Sequence, residues 1–368
     1  MNKYYCKQAM IGLQFSHPQR GHALCCASFD RYYQSPKELW NSEVIQKKRD
    51  KILAGKPISD CHGCYQNEYN NIKSFREIYN DQFKNYKDSE LPQHMDLDLS
   101  NLCNLKCVMC GPDRSSMWAK EKNLFKESKG VTNIKQEWLD EICELSHDLK
   151  YLTIQGGEPT LIDEYIYFFE YLKKHNIIKN VGLNVVTNLT NVSTKFFSFV
   201  PDFANVSISV SIDAFGSANN YIRYPSNFDK VTENLKSLTK FDNVYVSVNS
   251  AVQTLSMFDV KGFIEWTNSI KNHFESQNKN LDNYFQHVIT PKELSIFNAP
   301  RRLKDKFLND LDKAKCNIDW FNDLAVPLGR DNKFNSKLTS KYINNIDTGR
   351  NIDVTDYVPD FYNYFIRV

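Results

Sequence analysis

Between residues 93 and 290, short runs rich in β-branched residues alternate with amphipathic helical stretches, a pattern that narrows the choice of fold more than any other feature. The runs are 95–100 (MDLDLS), 151–155 (YLTIQ), 181–187 (VGLNVVT), 206–212 (VSISVSI), 244–252 (VYVSVNSAV) and 284–290 (YFQHVIT). Segments with helical spacing lie between them at 163–175, 193–200, 229–241 and 260–274. Strands separated by helices of that length predict a parallel sheet with crossover helices. Six such units predict an α/β fold, a partial (β/α)6 barrel short of the eight that close a complete one. The flanks read differently. Residues 1–92 predict a small irregular module, and 291–368, polar and aromatic, a helical C-terminal extension packed on the barrel. Within the first flank, 35–55 predicts one helix, with Ser35 and Glu38 as a capping box and Leu39, Val44, Ile45 and Ile52 as its apolar side.

Forty-six basic side chains balance forty-four acidic ones, a net charge of +2, so charge gives no case for nucleic acid or an anionic membrane as the main partner. No apolar run reaches about 18 residues and the first ten lack the apolar stretch of a secretory signal, which predicts a soluble cytoplasmic protein. In the reducing cytosol the ten cysteines are expected as metal ligands rather than disulfides. Cys6, Cys25, Cys26, Cys61 and Cys64 form one group, and Cys103, Cys107 and Cys110 a second. Two groups predict two metal centres. Cys143, at an apolar position of a helix, is expected in the core, and Cys316 has no assigned role.

The second group has the spacing CxxxCxxC, in a loop directly after the first barrel strand, where βα loops carry chemistry. A four-iron cube is saturated by four thiolates, so three leave one iron open. A zinc knuckle or buried structural thiols are the competing reading.

The sequence here resembles the radical S-adenosylmethionine (SAM) superfamily, whose defining motif is CxxxCxxC after the first strand. The resemblance implies that Cys103, Cys107 and Cys110 ligate a [4Fe-4S] cluster. It implies SAM contacts from Gly156, Gly157 and Glu158 in the GGEP segment, from Asn188 in TNLT, from Ser209 or Ser211 on the fourth strand, from Arg223 in YIRYP toward the SAM carboxylate, and from Asn249 on the fifth strand. Met109 stands where the family often has an aromatic residue near the adenine. The implied chemistry is reductive cleavage of SAM at the open iron to a 5′-deoxyadenosyl radical that takes hydrogen from substrate, with the protein holding the reacting carbon and excluding water.

The first group resembles the auxiliary-cluster module called SPASM, or its one-cluster form called twitch, placed N-terminal to the barrel instead of after it. The matching run is Cys6, Gly21, Cys25 or Cys26, the ELW of residues 38–40, and the CHGC of Cys61 and Cys64. This implies a second [4Fe-4S] cluster on Cys6, Cys26, Cys61 and Cys64, with Cys25 as the alternative to Cys26 and a four-ligand zinc site as the alternative to the cluster. The expected substrate is a peptide or protein side chain. The alternatives are a small molecule such as a nucleotide or cofactor precursor, or a non-catalytic metal-binding protein that keeps the fold. No winged-helix-like segment for binding a precursor peptide is legible near the N-terminus. A flavodoxin or ferredoxin is the expected electron donor. Cys143, Tyr221 and Tyr224 are candidate hydrogen or proton donors, none singled out by sequence.

Overall fold

A computed structural model describes residues 2–87, 89–121, 130–313 and 336–367. Seven strands form one sheet in sequential order: β1 (Gly12–Ser16), β2 (His94–Asp98), β3 (Tyr151–Ile154), β4 (Gly182–Thr187), β5 (Asn205–Ser211), β6 (Val244–Val252) and β7 (Leu281–His287). β1–β2, β2–β3, β3–β4 and β6–β7 pair parallel, as crossover connections require. The α/β barrel-type fold expected from the alternation is present.

Two expectations are corrected. The N-terminal region is not wholly irregular, because GLQFS forms β1, buried along its whole length and paired with β2 from Gly12↔His94 to Ser16↔Asp98. The single helix expected over 35–55 is two, Pro36–Trp40 and Glu43–Leu53, since Ser42 accepts the Ile45 amide and starts a new helix. The Ser35/Glu38 capping box forms as expected, while Val44 is 45% exposed and leaves the apolar side. The last strand also begins three residues before the expected 284, because 281–287 is the stretch in register with Val246–Val252. Cys316 lies outside the described residues.

The chain divides into two compact units. The first comprises Met1–Leu102, Val131–Val185 and Thr194–Ser207. Leu13, Phe15, Met95, Leu97, Leu152 and Ile154 are buried in it, as are Phe168 and Phe169 of the Asp163–Lys174 helix and Cys143 of the Gln136–Leu145 helix. Cys143 is thus core, and burial pushes its thiol up to about 12. Tyr165 ties two strand ends together in this unit. Its hydroxyl is 2.8 Å from the Leu97 carbonyl, 2.6 Å from that of Gln155, and accepts the Leu99 amide at 3.3 Å.

The second unit comprises Cys103–Gly130, Val186–Ser193 and Ile208–Val368. One apolar cluster there joins Val108 and Trp118 of the cysteine segment to Tyr221 and Ile222, to Leu303 and Phe307 of the Arg301–Lys313 helix, and to Ile343 and Ile346 of the Ser336–Arg350 helix. The C-terminal extension is therefore helical and shares a core with the barrel segments of its unit. Among the described residues no helix is long and apolar enough to cross a membrane.

Replacing Tyr165 with Phe removes the hydroxyl that meets those three backbone groups, and the expected cost is about 1–3 kcal/mol, read as a lower urea midpoint at unchanged slope.

Candidate radical-cluster site

Cys103, Cys107 and Cys110 leave β2 on a loop whose backbone is held almost atom by atom. Lys106 N donates to Tyr224 O at 2.7 Å and Val108 N to Ile222 O at 2.8 Å, while Cys110 N turns back to Cys107 O at 2.9 Å. The carbonyls are held from other segments. Trp118 Nε1 donates to Cys107 O at 3.0 Å, Tyr342 to Val108 O at 2.7 Å, Ser115 to Leu105 O, and Arg350 Nη2 to Lys106 O. Buried backbone groups need such partners, and they leave the loop little freedom. Sequence reasoning missed Tyr342 and Arg350, which lie more than 230 residues downstream in an extension with no motif.

The three thiols converge, and their electrostatics differ. Cys107 is held below the ordinary thiol value, first by a hydrogen bond from Cys110 and then, against burial, by the charge of Arg223. Cys110 is pushed up, chiefly because it is the donor of that bond and also by burial. Arg223 Nη1 lies 3.9 Å from Cys107 Sγ, Asn188 Nδ2 lies 4.0 Å from Cys103 Sγ, and the Leu105 amide donates to Cys103 Sγ at 3.4 Å. A thiolate needs such donors, so this set fits the ligands of an iron-sulfur cluster.

Arg223 is not a surface residue. Its Nε and Nη2 meet Asp213 at 2.8 Å and 3.0 Å, with side chains 12% and 0% exposed. Burial is the largest single influence and works against its cation, but the charge and hydrogen bond of Asp213 with the charges of Cys107 and Cys110 together outweigh it, so its pKa is raised. Asp213 caps no helix; its Oδ1 also accepts the Ala251 amide at 2.8 Å. The fork expected to face the SAM carboxylate is filled by Asp213, and the remaining Nη1 addresses Cys107.

The GGEP segment belongs to the first unit. Gly156 has φ +125°, which only glycine adopts readily, and a Cβ there would stand 2.7 Å from Ser100 O. A Cβ on Gly157 would stand 2.0 Å from Leu102 O. The close approach these glycines permit is therefore to the chain leading into Cys103. Gly157 N donates to Ser100 O at 2.9 Å and Glu158 N to Leu102 O at 2.7 Å, and buried Glu158 accepts from Thr160 at 2.7 Å. In the second unit the TNLT segment is woven onto the cysteine loop: Asn188 Nδ2 donates to Asn104 Oδ1 at 2.9 Å and Asn104 Nδ2 to Thr190 Oγ1 at 2.8 Å. Leu189 between them has φ +51°, a strained conformation held by the Leu189 amide to Thr187 Oγ1 at 3.0 Å and by Asn234 to Leu189 O at 2.9 Å.

Ser209 and Ser211 share one face of β5, and Ser209 Oγ is 3.1 Å from Ser247 Oγ on β6. Asn249 lies on the same face, opposite Tyr284 of β7, which is 57% exposed. Met109 is partly buried against the second unit's core. Tyr221 is buried, its hydroxyl 2.7 Å from Asp347 Oδ1, and Tyr224 supplies the carbonyl that holds Lys106.

In the first unit Cys6, Cys25, Cys26, Cys61 and Cys64 are brought together. Burial pushes all five thiols up, Cys6 and Cys26 to about 11 and Cys61 to about 12. Cys25 feels Cys26, Cys6 and Cys61; Cys26 feels Asp96 and Cys64, and its Sγ is 3.5 Å from Tyr79 Oη. Among the described residues no three His, Cys, Asp or Glu side chains are gathered as a single-ion site.

Residues 97–261 match the family described as the radical SAM superfamily. The chain is 25% identical over 198 residues to the radical SAM cyclopropyl synthase TigE of Paramaledivibacter caminithermalis, covering 50% of this chain and 41% of that one. It is 26% identical over 176 residues to the GTP 3′,8-cyclase of Psychromonas ingrahamii, covering 47% and 49%. It is also 24% identical over 180 residues to the sporulation killing factor maturation protein SkfB of Bacillus subtilis, covering 48% and 40%. These matches span less than half the length of those relatives.

Two buried histidines in the first unit make folding sensitive to acid. Burial pushes His22 down to about 4 and His94 to about 3. His22 Nδ1 accepts the Ser16 amide at 3.0 Å, and His94 Nε2 lies 3.1 Å from Thr153 Oγ1. Their folded values lie below the unfolded value of about 6.5, so the neutral form is favoured and stability is full above about pH 6.5 and lost as pH falls. Lowering the pH from 7 to 5 is expected to cost about 2 kcal/mol per histidine, seen in urea unfolding at the two pH values.

Proposed function

We propose that this chain is a radical SAM enzyme whose Cys103, Cys107 and Cys110 hold a [4Fe-4S] cluster with one open iron, and whose substrate is a peptide or protein side chain. The observation that carries the reading is the pinned loop on which three thiols converge, with the Arg223 guanidinium beside Cys107 biasing that thiol toward thiolate. With SAM bound, the cluster would supply reductive cleavage of SAM and hydrogen-atom abstraction from substrate. This chain's residues would hold the thiolates in place through the carbonyl and amide contacts of Trp118, Tyr342, Arg350, Tyr224 and Ile222. Ser209, Ser211 and Asn249 would contact SAM from their shared sheet face, with Asn188, Met109 and the GGEP residues Gly156, Gly157 and Glu158 as further contacts carried by the resemblance.

The peptide reading is supported by the open end of that face, where Tyr284 is 57% exposed, since a small-molecule pocket would enclose its polar groups. SkfB, named as a maturation protein, supports the same class. A small-molecule substrate is the second reading, favoured by the likeness to a GTP cyclase. Residues 1–92 are proposed as an accessory module with a second cluster on Cys6, Cys61, Cys64 and Cys25, Cys25 being taken over Cys26 because it interacts with two of the other three, Cys6 and Cys61, whereas Cys26 interacts with Cys64 alone of them and also with Tyr79 and Asp96. Four protein thiolates would leave that cluster a relay for electrons from a flavodoxin or ferredoxin, or a staple of the fold.

Anaerobic reconstitution should load about eight irons per chain, and dithionite with SAM should release 5′-deoxyadenosine. Cys107→Ala should abolish that product and retain about four irons; product formation by the variant sinks the assignment. Cys25→Ser should also fall to about four irons while Cys26→Ser keeps about eight, the reverse result exchanging the two ligands. Product release stimulated by a peptide pool supports the first substrate class, and stimulation by nucleotides alone the second.

A further inference from the structure

Arg350 closes the Ser336–Arg350 helix and is 8% exposed. Its guanidinium donates to Tyr221 O at 3.1 Å and to Lys106 O, and its centre lies 5.1 Å, 5.8 Å and 5.0 Å from the rings of Trp118, Tyr221 and Tyr224. Among the described residues no carboxylate forms an ion pair with it. Asp347 is engaged by the Tyr221 hydroxyl and the Val354 amide, and Glu121 by Lys106. A basic residue at a helix C-terminus ordinarily serves its own helix carbonyls. Arg350 reaches past them to two other segments, one of them the residue before Cys107.

A buried cation is costly without a counter-ion, and two carbonyl dipoles with three ring faces offset it only in part. A neutral donor would tie Lys106 O equally well, so a mere strap leaves the charge unexplained. Arg350 acts electrostatically on Cys107 as well as on Tyr221, Glu121 and Tyr224, and it donates to the carbonyl of the residue before Cys107, so the three thiolates of a cluster would add negative charge on that side.

We infer that Arg350 is a positioning residue and the buried counter-charge of the cluster held by Cys103, Cys107 and Cys110, favouring its reduced, more negative state and so raising its reduction potential. The inference rests on the cluster assignment above. Charge and hydrogen bonds beside the sulfurs are established levers on such potentials. Through Arg350 the C-terminal extension takes part in setting the ease with which the cluster accepts its electron.

The test compares reconstituted wild type with R350M, R350Q, R350K and Y342F in a redox titration followed by electron paramagnetic resonance, each at wild-type iron content. R350M and R350Q should shift the midpoint to more negative values, R350K should restore most of the shift, and Y342F, which removes a neutral strap from Val108 O, should leave it unmoved. R350Q keeps a donor toward Lys106 O and serves if R350M does not fold. Amide exchange of Lys106 and Val108 in the cluster-free chain should quicken in R350M and Y342F alike. An unchanged midpoint in both neutral variants, or an R350K midpoint equal to that of R350Q, overturns the inference. Failure of the cluster assignment is distinct, for then Cys107→Ala keeps the wild-type iron and signal.

Discussion

The second unit depends on the burial of one short loop that must present three thiols at fixed positions. Burying its backbone obliges each amide and carbonyl to find a partner, and the partners come from far along the chain: Ile222 and Tyr224 for amides, Trp118, Tyr342 and Arg350 for carbonyls. The result is a loop whose geometry is determined by the unit's core and not by its own sequence. Val108 in the middle of the motif is itself a core residue, so packing and site geometry are one constraint.

The two cysteine groups are electrically different although both are buried. Around Cys107 a hydrogen bond from Cys110 and the nearby guanidinium of Arg223 favour the thiolate, and Arg350 adds a second positive charge. In the first unit burial dominates, and Cys6, Cys25, Cys26 and Cys61 are raised further by neighbouring thiols, with Arg76 the opposing cation at Cys6 and Cys64. Those thiols ionise only when a metal supplies the positive charge. A cluster at Cys103, Cys107 and Cys110 would enter a loop already prepared for it, whereas one in the N-terminal group would have to create its own ligand charge.

Arg223 and the glycines each have a protein partner that their motifs do not name. Asp213 engages two of the three nitrogens of the Arg223 guanidinium. Gly156 and Gly157 lack side chains for the benefit of Ser100 and Leu102, the residues that deliver the chain to Cys103. In each case the neighbour that decides the role is distant in sequence or ordinary in type.

From the residues alone, the period of the strands and helices gave the fold class, and the spacing of Cys103, Cys107 and Cys110 after β2 pointed to the candidate site, because periodicity and short-range spacing are local properties of a chain. β1 was hidden because five residues at the edge of a sheet carry too little pattern to separate from a loop, and the break at Ser42 because a capping residue inside a helical pattern reads as one more polar position. The engagement of Arg223 by Asp213 and the reach of Tyr342 and Arg350 onto the cysteine loop were decided only by the tertiary structure. Each depends on which surfaces of separated segments meet when the apolar core closes, and no interval counted along the chain contains that information.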